Sequence, residues 1–195
     1  MRNRDENKAV AIREKAMEMI VQEGFDGLSM HKLAKAVNIS ASTIYIYFKN
    51  REDLLNQLYI NVAAVFTTVT LQDFDPEMDF EAGLWLQWKN RYQHILKYPL
   101  HFRFSEQFRN SPLIQQQEEL EDPFRKTMRK FIQHAEEKQQ LVSLPPEVFW
   151  SVAYGPFYTL VKFHLDNQTM SGKPFSLSEE NMRQTFDLVV KALRP

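Results

Sequence analysis

Cysteine is absent from the 195 residues. Disulfide frameworks, thiolate metal sites and cysteine nucleophiles are therefore excluded. Glycine is scarce, with five residues at 24, 27, 83, 155 and 172, and none forms a glycine-rich phosphate loop. The longest apolar run, Val62 to Phe66, has five residues, against the roughly 20 that span a membrane. The opening MRNRDENK is charged and acid-containing, with no apolar stretch behind it. It does not read as a signal peptide. Excess charge is lacking too: 24 Lys and Arg stand against 25 Asp and Glu, a net −1. That balance is wrong for a protein that binds polyanions over its whole surface. These absences predict a cytoplasmic chain with no membrane partner, and its length suits one or two domains.

What charge there is lies unevenly. Residues 1–51 hold nine basic and six acidic residues, +3, and the remainder is −4. A small basic module on a mildly acidic body fits local phosphate binding. Most of the chain has helical spacing. Ala9, Ile12, Ala16, Met19 and Ile20 share one face of a first helix, with Gly24 placed at its C-terminal cap. Ser29 can cap a short second helix, Met30 to Ala36, and Asn38 tolerates the left-handed turn that follows. Ser40 is placed to cap a third helix and Asn50 a fourth, with Asp53 at the capping-box position. Between those two caps, Thr43-Ile44-Tyr45-Ile46-Tyr47-Phe48 is built from β-favouring residues, so the residues alone leave helix and strand both open. Further helices are predicted from Phe80 to Tyr98, from Pro99, from Pro112 with Pro123 kinking or splitting it, from Pro145-Pro146 to Asp166, and from Ser178 to Leu193. The expected fold is all-α, with about nine helices: a three-helix module at 1–50 and a larger bundle at 51–195.

Two short helices joined at Val37-Asn38-Ile39 have the size of a helix-turn-helix. The run Leu33-Ala34-Lys35-Ala36-Val37-Asn38-Ile39-Ser40-Ala41-Ser42-Thr43-Ile44-Tyr45-Ile46-Tyr47-Phe48-Lys49-Asn50-Arg51-Glu52-Asp53-Leu54-Leu55 resembles the DNA-binding signature of the TetR family of bacterial transcriptional regulators. Gly24-Phe25-Asp26-Gly27-Leu28-Ser29-Met30 is similar to that family's lead-in, and the resemblance covers roughly residues 8–58. It implies a homodimeric repressor on a near-palindromic, double-stranded operator, released when a small molecule binds the C-terminal domain. It also implies roles. Thr43, Tyr45 and Lys49 match phosphate-contacting positions, and Ser29 a position near the backbone. Ser40, Ala41, Ser42 and Tyr47 line the recognition helix, and His31 sits where base contact is possible. Asn38 stands where a turn glycine is usual, Ser42 for a frequent glycine, Ile46 for a polar or aromatic residue, and Arg51 for lysine.

Aromatic residues accumulate after residue 80. Any one of them reads first as core packing, but together they suit an apolar pocket. The candidate lining is Trp85, Trp88, Tyr92, Phe104, Phe108, Met128, Phe131, Tyr154 and Tyr158. The effector expected there is hydrophobic, and aromatic or cationic in character. Val148, Val152, Leu160 and Val161 with Phe186, Val189, Val190 and Leu193 form apolar stripes for the dimer surface that the resemblance implies.

Nothing in the sequence calls for catalysis. Ser29-Met30-His31-Lys32 fits S-x-x-K but lacks that pattern's partner motifs. His94 and His101 stand seven residues apart, about 10.5 Å along a helix, too far to share a metal. The pairs Glu118-Glu119 and Glu136-Glu137 are adjacent and diverge on a helix. No cofactor and no metal are expected. The competing reading is a ligand-binding helical protein whose N-terminal module docks another protein instead of DNA.

Overall fold

The computed structural model describes residues 2–109, 111, 123–167, 169–170 and 172–195. Among the described residues the chain forms nine helices and no strand: α1 (Arg2–Gly27), α2 (Met30–Ala36), α3 (Ala41–Tyr47), α4 (Arg51–Thr70), α5 (Phe80–Lys97), α6 (Pro99–Arg109), α7 (Pro123–Glu137), α8 (Pro146–Asp166) and α9 (Glu179–Leu193). The expected seventh helix from Pro112, and the pair Glu118-Glu119, lie at 112–122, outside the described residues. From Pro123 onward the helix is present, with proline at its first position, where the missing N–H costs no hydrogen bond.

The described residues divide into two compact units, one within Met1–Phe66 and Lys97–Leu120, the other within Thr67–Leu96 and Glu121–Pro195. The first unit is built on α1. Gly24 leaves the helical conformation with φ 75° and ψ 178°, which a side-chain-free residue adopts without strain. Ile12, Ala16 and Ile20 of α1 then meet Leu33 of α2, Ile44 and Phe48 around α3, and Leu54, Leu55 and Leu58 of α4 in one core. Phe104 and Phe108 of α6 complete it, with Phe108 stacked on Tyr59 at 4.4 Å and edge-on to Phe25 at 6.0 Å.

The second unit is an aromatic bundle. Trp88 of α5 is fully buried, its indole N–H donates to the Ala153 carbonyl at 3.0 Å, and its ring meets Phe157 and Phe186. Phe131 of α7 lies between Phe74 and Phe80, at ring distances of 5.0 and 5.7 Å. Gly83 lets it in, because a Cβ there would stand 2.6 Å from the Phe131 ring. The α8 helix runs from Pro146 to Asp166 with Pro156 inside it. Ser178 caps α9 by accepting from the Asn181 N–H at 3.2 Å, and α9 packs against α8.

Candidate nucleic-acid interface

The site is assembled from caps and one tight turn. Ser29 accepts from the Lys32 N–H at 3.2 Å and starts α2. Leu33 and Ala34 face the core, and α2 ends where Val37 and Ile39 donate back to the Leu33 and Ala34 carbonyls, each at 3.0 Å. Asn38 takes the left-handed conformation, φ 55°. Ser40, in extended backbone, then accepts from the Thr43 N–H at 3.2 Å and starts α3. The stretch that leaves helix and strand open by propensity is therefore helical. Two N-caps and the burial of Ile44 and Phe48 override its β-branched and aromatic content.

With Ile44 and Phe48 turned inward, α3 has one possible outer face. Ser42, Tyr45, Ile46 and Lys49 are exposed on or just beyond it, Ala41, Thr43 and Tyr47 are half-buried, and Ser40 is exposed at its start. Ser40, Ser42 and Thr43 form a hydroxyl cluster, with the Ser40 Oγ 2.7 Å from both the Ser42 Oγ and the Thr43 Oγ1. His31 is exposed on the first turn of α2, and Ser29 is half-buried before it. Of the DNA-facing residues expected from the sequence, His31, Ser40, Ser42, Tyr45 and Lys49 are thus exposed and Ser29 and Thr43 half-buried, while Ala41 and Tyr47 are half-buried and packed against the core.

Lys49 presents its ammonium outward while its backbone N–H donates to Asp53 Oδ2 at 2.8 Å. Asp53 in turn donates its own N–H to Asn50 Oδ1 at 2.8 Å. The Lys49 N–H, then the Gln57 amide, hold the Asp53 carboxyl below the usual carboxylate range, while partial burial opposes them. The carboxylate therefore stays charged and fixes the exit from α3. Arg51 reaches back across the fold, donating to the Leu28 carbonyl at 3.0 Å and to the Phe25 carbonyl. It ties the start of α4 to the α1–α2 connection. Sequence reasoning registers Arg51 only as a departure from lysine, since no local signal marks a side chain that bonds to backbone 23 and 26 positions away. Ile46 likewise stands out in the sequence only as a departure from a polar or aromatic residue. Its outward position follows once helix is chosen, because it is two residues from each inward anchor.

Residues 12–58 match the family described as bacterial regulatory proteins, tetR family. This segment carries that family's N-terminal module. An uncharacterised HTH-type transcriptional regulator of Haemophilus influenzae is 35% identical over 94 residues, 48% of this chain and 50% of that protein. A fatty acid metabolism regulator protein of Bacillus subtilis is 38% identical over 52 residues, 27% of each chain. The matched segments thus span half the length of one curated relative and about a quarter of the other. A TetR family transcription regulator of Marinobacter aquaeolei is similar over the whole fold, with TM-score 0.82, 25% identity, and coverage of 100% of this chain and 99% of that one. The TetR family consists of transcription regulators, not enzymes. Its helix-turn-helix is the α2–turn–α3 segment described above.

The nine pocket candidates fall in two places. Phe104 and Phe108 belong to the core of the first unit. Trp85, Trp88, Tyr92, Met128, Phe131, Tyr154 and Tyr158 belong to the second. There, Trp85 and Trp88 both meet Phe186, at 4.9 and 5.3 Å, Met128 is buried beside Phe131 on α7, and the Tyr92 hydroxyl donates to the Leu177 carbonyl at 2.6 Å. Tyr154 is buried, stacks on Trp150 at 4.7 Å, and has the Arg91 guanidinium 4.4 Å over its ring. Burial pushes its phenol up to about 12, against the pull of Arg91, and among the described residues its hydroxyl has no hydrogen-bond partner. Arg91 also lies 5.4 Å over Phe124 and donates from Nε to the Tyr158 hydroxyl at 3.3 Å. Two surface clefts of this unit, of about 360 and 540 Å³, are lined by other residues.

Of the residues expected at a dimer surface, Val161, Phe186, Val189, Val190 and Leu193 are buried within the chain itself. Val152 and Leu160 are half-buried and Val148 is exposed. Leu188 on α9 is exposed beyond them. Among the described residues no helix is long and apolar enough to cross a membrane, and no three His, Asp or Glu are grouped to hold a metal.

Proposed function

We propose that this chain regulates transcription by binding a near-palindromic operator as a homodimer, one α3 per half-site, and that it acts as a repressor released by a small molecule. The observation that carries the reading is the outer face of α3. Two buried anchors hold a seven-residue helix so that hydroxyls, a tyrosine and a lysine face outward together, in the basic part of the sequence. Hydroxyls and Lys49 suit phosphate oxygens, which fix register, and side chains along the helix suit base edges. The functional division is 1–50 for DNA and 51–195 for effector and dimer.

In this reading Thr43, Tyr45 and Lys49 hold phosphates, with Ser29 nearby. Ser40, Ala41, Ser42, Tyr47 and His31 face the groove. The effector is hydrophobic, and its pocket is formed from the aromatic candidates of α5, α7 and α8. Of the two characters expected for it, aromatic is favoured over cationic. The faces of Tyr154 and Phe124 already carry a cation of the chain's own, Arg91, and a second cation beside it would be repelled. The dimer is proposed to form on α8 and α9, through the apolar area left outside by Val148, Val152, Leu160 and Leu188.

The test is a variant series on a duplex carrying the DNA that flanks the chain's own gene. Lys49→Ala and Tyr45→Ala should weaken binding to all sequences alike, and His31→Ala should change the preference among them. Full affinity in Tyr45→Ala would place the recognition helix elsewhere.

A further inference from the structure

On the outer face of α3 one side chain has no polar chemistry at all. We propose that Ile46 reads a thymine C5-methyl group in each operator half-site, a specificity determinant that rests on the DNA-binding reading above. Ile44 is fully buried, and Phe48 is 1% exposed. At about 100° per residue, Ile46 lies about 200° from each of them, and so points away from the core. It is 78% exposed.

Its surroundings say what it can meet. One turn back are Ser42 and Thr43, whose hydroxyls are held 2.7 Å from Ser40 Oγ, and just past the end of α3 are the exposed Lys49 and Asn50. The apolar tip thus has a hydroxyl cluster before it and an exposed lysine after it along the chain. The DNA major groove presents the complementary pattern, with phosphates along its walls and base edges on its floor. On that floor the N7, O6, N6, N4 and O4 atoms need donors or acceptors, which isoleucine lacks. The thymine methyl is the one apolar group displayed there. Ala41 is also apolar, but it is half-buried and has only its Cβ to offer. Ile46 is longer and better exposed.

The experiment begins with duplexes selected from a random-sequence library by the full chain. Each thymine of the selected duplex is then replaced singly by deoxyuridine, which removes the methyl and leaves the base pair unchanged. Wild type should lose about fourfold in affinity at one thymine per half-site, the worth of one buried methyl group. Ile46→Ala, which changes only an exposed side chain and should melt like wild type, should be indifferent at that position and should select duplexes degenerate there. Wild type insensitive to deoxyuridine at every position, or Ile46→Ala as sensitive as wild type, would overturn the assignment while leaving DNA binding intact. Failure of wild type to enrich any duplex would remove the DNA-binding reading itself, and this inference with it.

Discussion

Single side chains in the first unit do work that their immediate neighbours in sequence do not reveal. Arg51 joins the beginning of α4 to carbonyls at Phe25 and Leu28, so the helix that leaves α3 is anchored to the loop that precedes α2. Asp53 fixes the backbone at Lys49, just past the end of α3. His101 on α6 carries a testable charge effect. Burial lowers its imidazole below the ordinary 6.5, and Glu14 opposes this only in part. The unfolded chain then binds the proton more readily than the folded one. The contribution of His101 to stability is therefore present above pH about 6.5 and is lost as the pH falls below it. Between about pH 7.5 and 5.5, wild type should lose more melting temperature than His101→Gln does. Equal losses would contradict the burial argument.

At the scale of elements, local chemistry made much of the fold readable. Ser29, Ser40 and Ser178 each cap the helix they precede, and Asn38 adopts the left-handed turn, because caps and turns depend on residues within three or four positions. The segment Thr43 to Phe48 was not decided by its own residues. Its propensity points to a strand, and only the flanking caps and the burial of Ile44 and Phe48 select helix. Contacts far apart in sequence were not readable either. Phe104 and Phe108 lie on an apolar stripe like that of any bundle helix, and a stripe does not reveal which partner covers it. The structure places that stripe with α1 and α4. Gly83 is a further case, a lone glycine in α5 whose reason is the Phe131 ring. Gly83→Ala should cost about 1–3 kcal/mol by forcing that ring aside, beyond what alanine gains in helix propensity. The melting temperature should fall by about 2–4 °C per kcal/mol. An unchanged or higher melting temperature would show that α5 and α7 separate freely.

For the whole molecule, the family resemblance was legible because the helix-turn-helix is short and its demands are strict: two capped helices, a left-handed turn, two inward anchors and a polar outer face. The proposed effector and dimer surfaces carry no comparable local code. Aromatic residues that pack a core and those that line a pocket have the same composition. Arg91 lying over Tyr154 and Phe124 comes from α5, α7 and α8 meeting, which no single segment announces. Likewise, the α9 stripe of Phe186, Val189, Val190 and Leu193 is covered by the chain's own second unit, so an interface between two copies has to draw on apolar area outside it.

In the proposed function, α3 binds operator DNA through phosphate contacts and base readout. Fluorescence anisotropy of the full chain against the duplex flanking its own gene tests this directly, at about 50 and 200 mM salt and with excess unrelated DNA. The account expects saturable binding by two chains per duplex that survives the competitor and weakens at least tenfold with salt, as release of phosphate counterions requires. No binding at the lower salt, or binding indifferent to salt, would contradict it and favour a module that docks a protein.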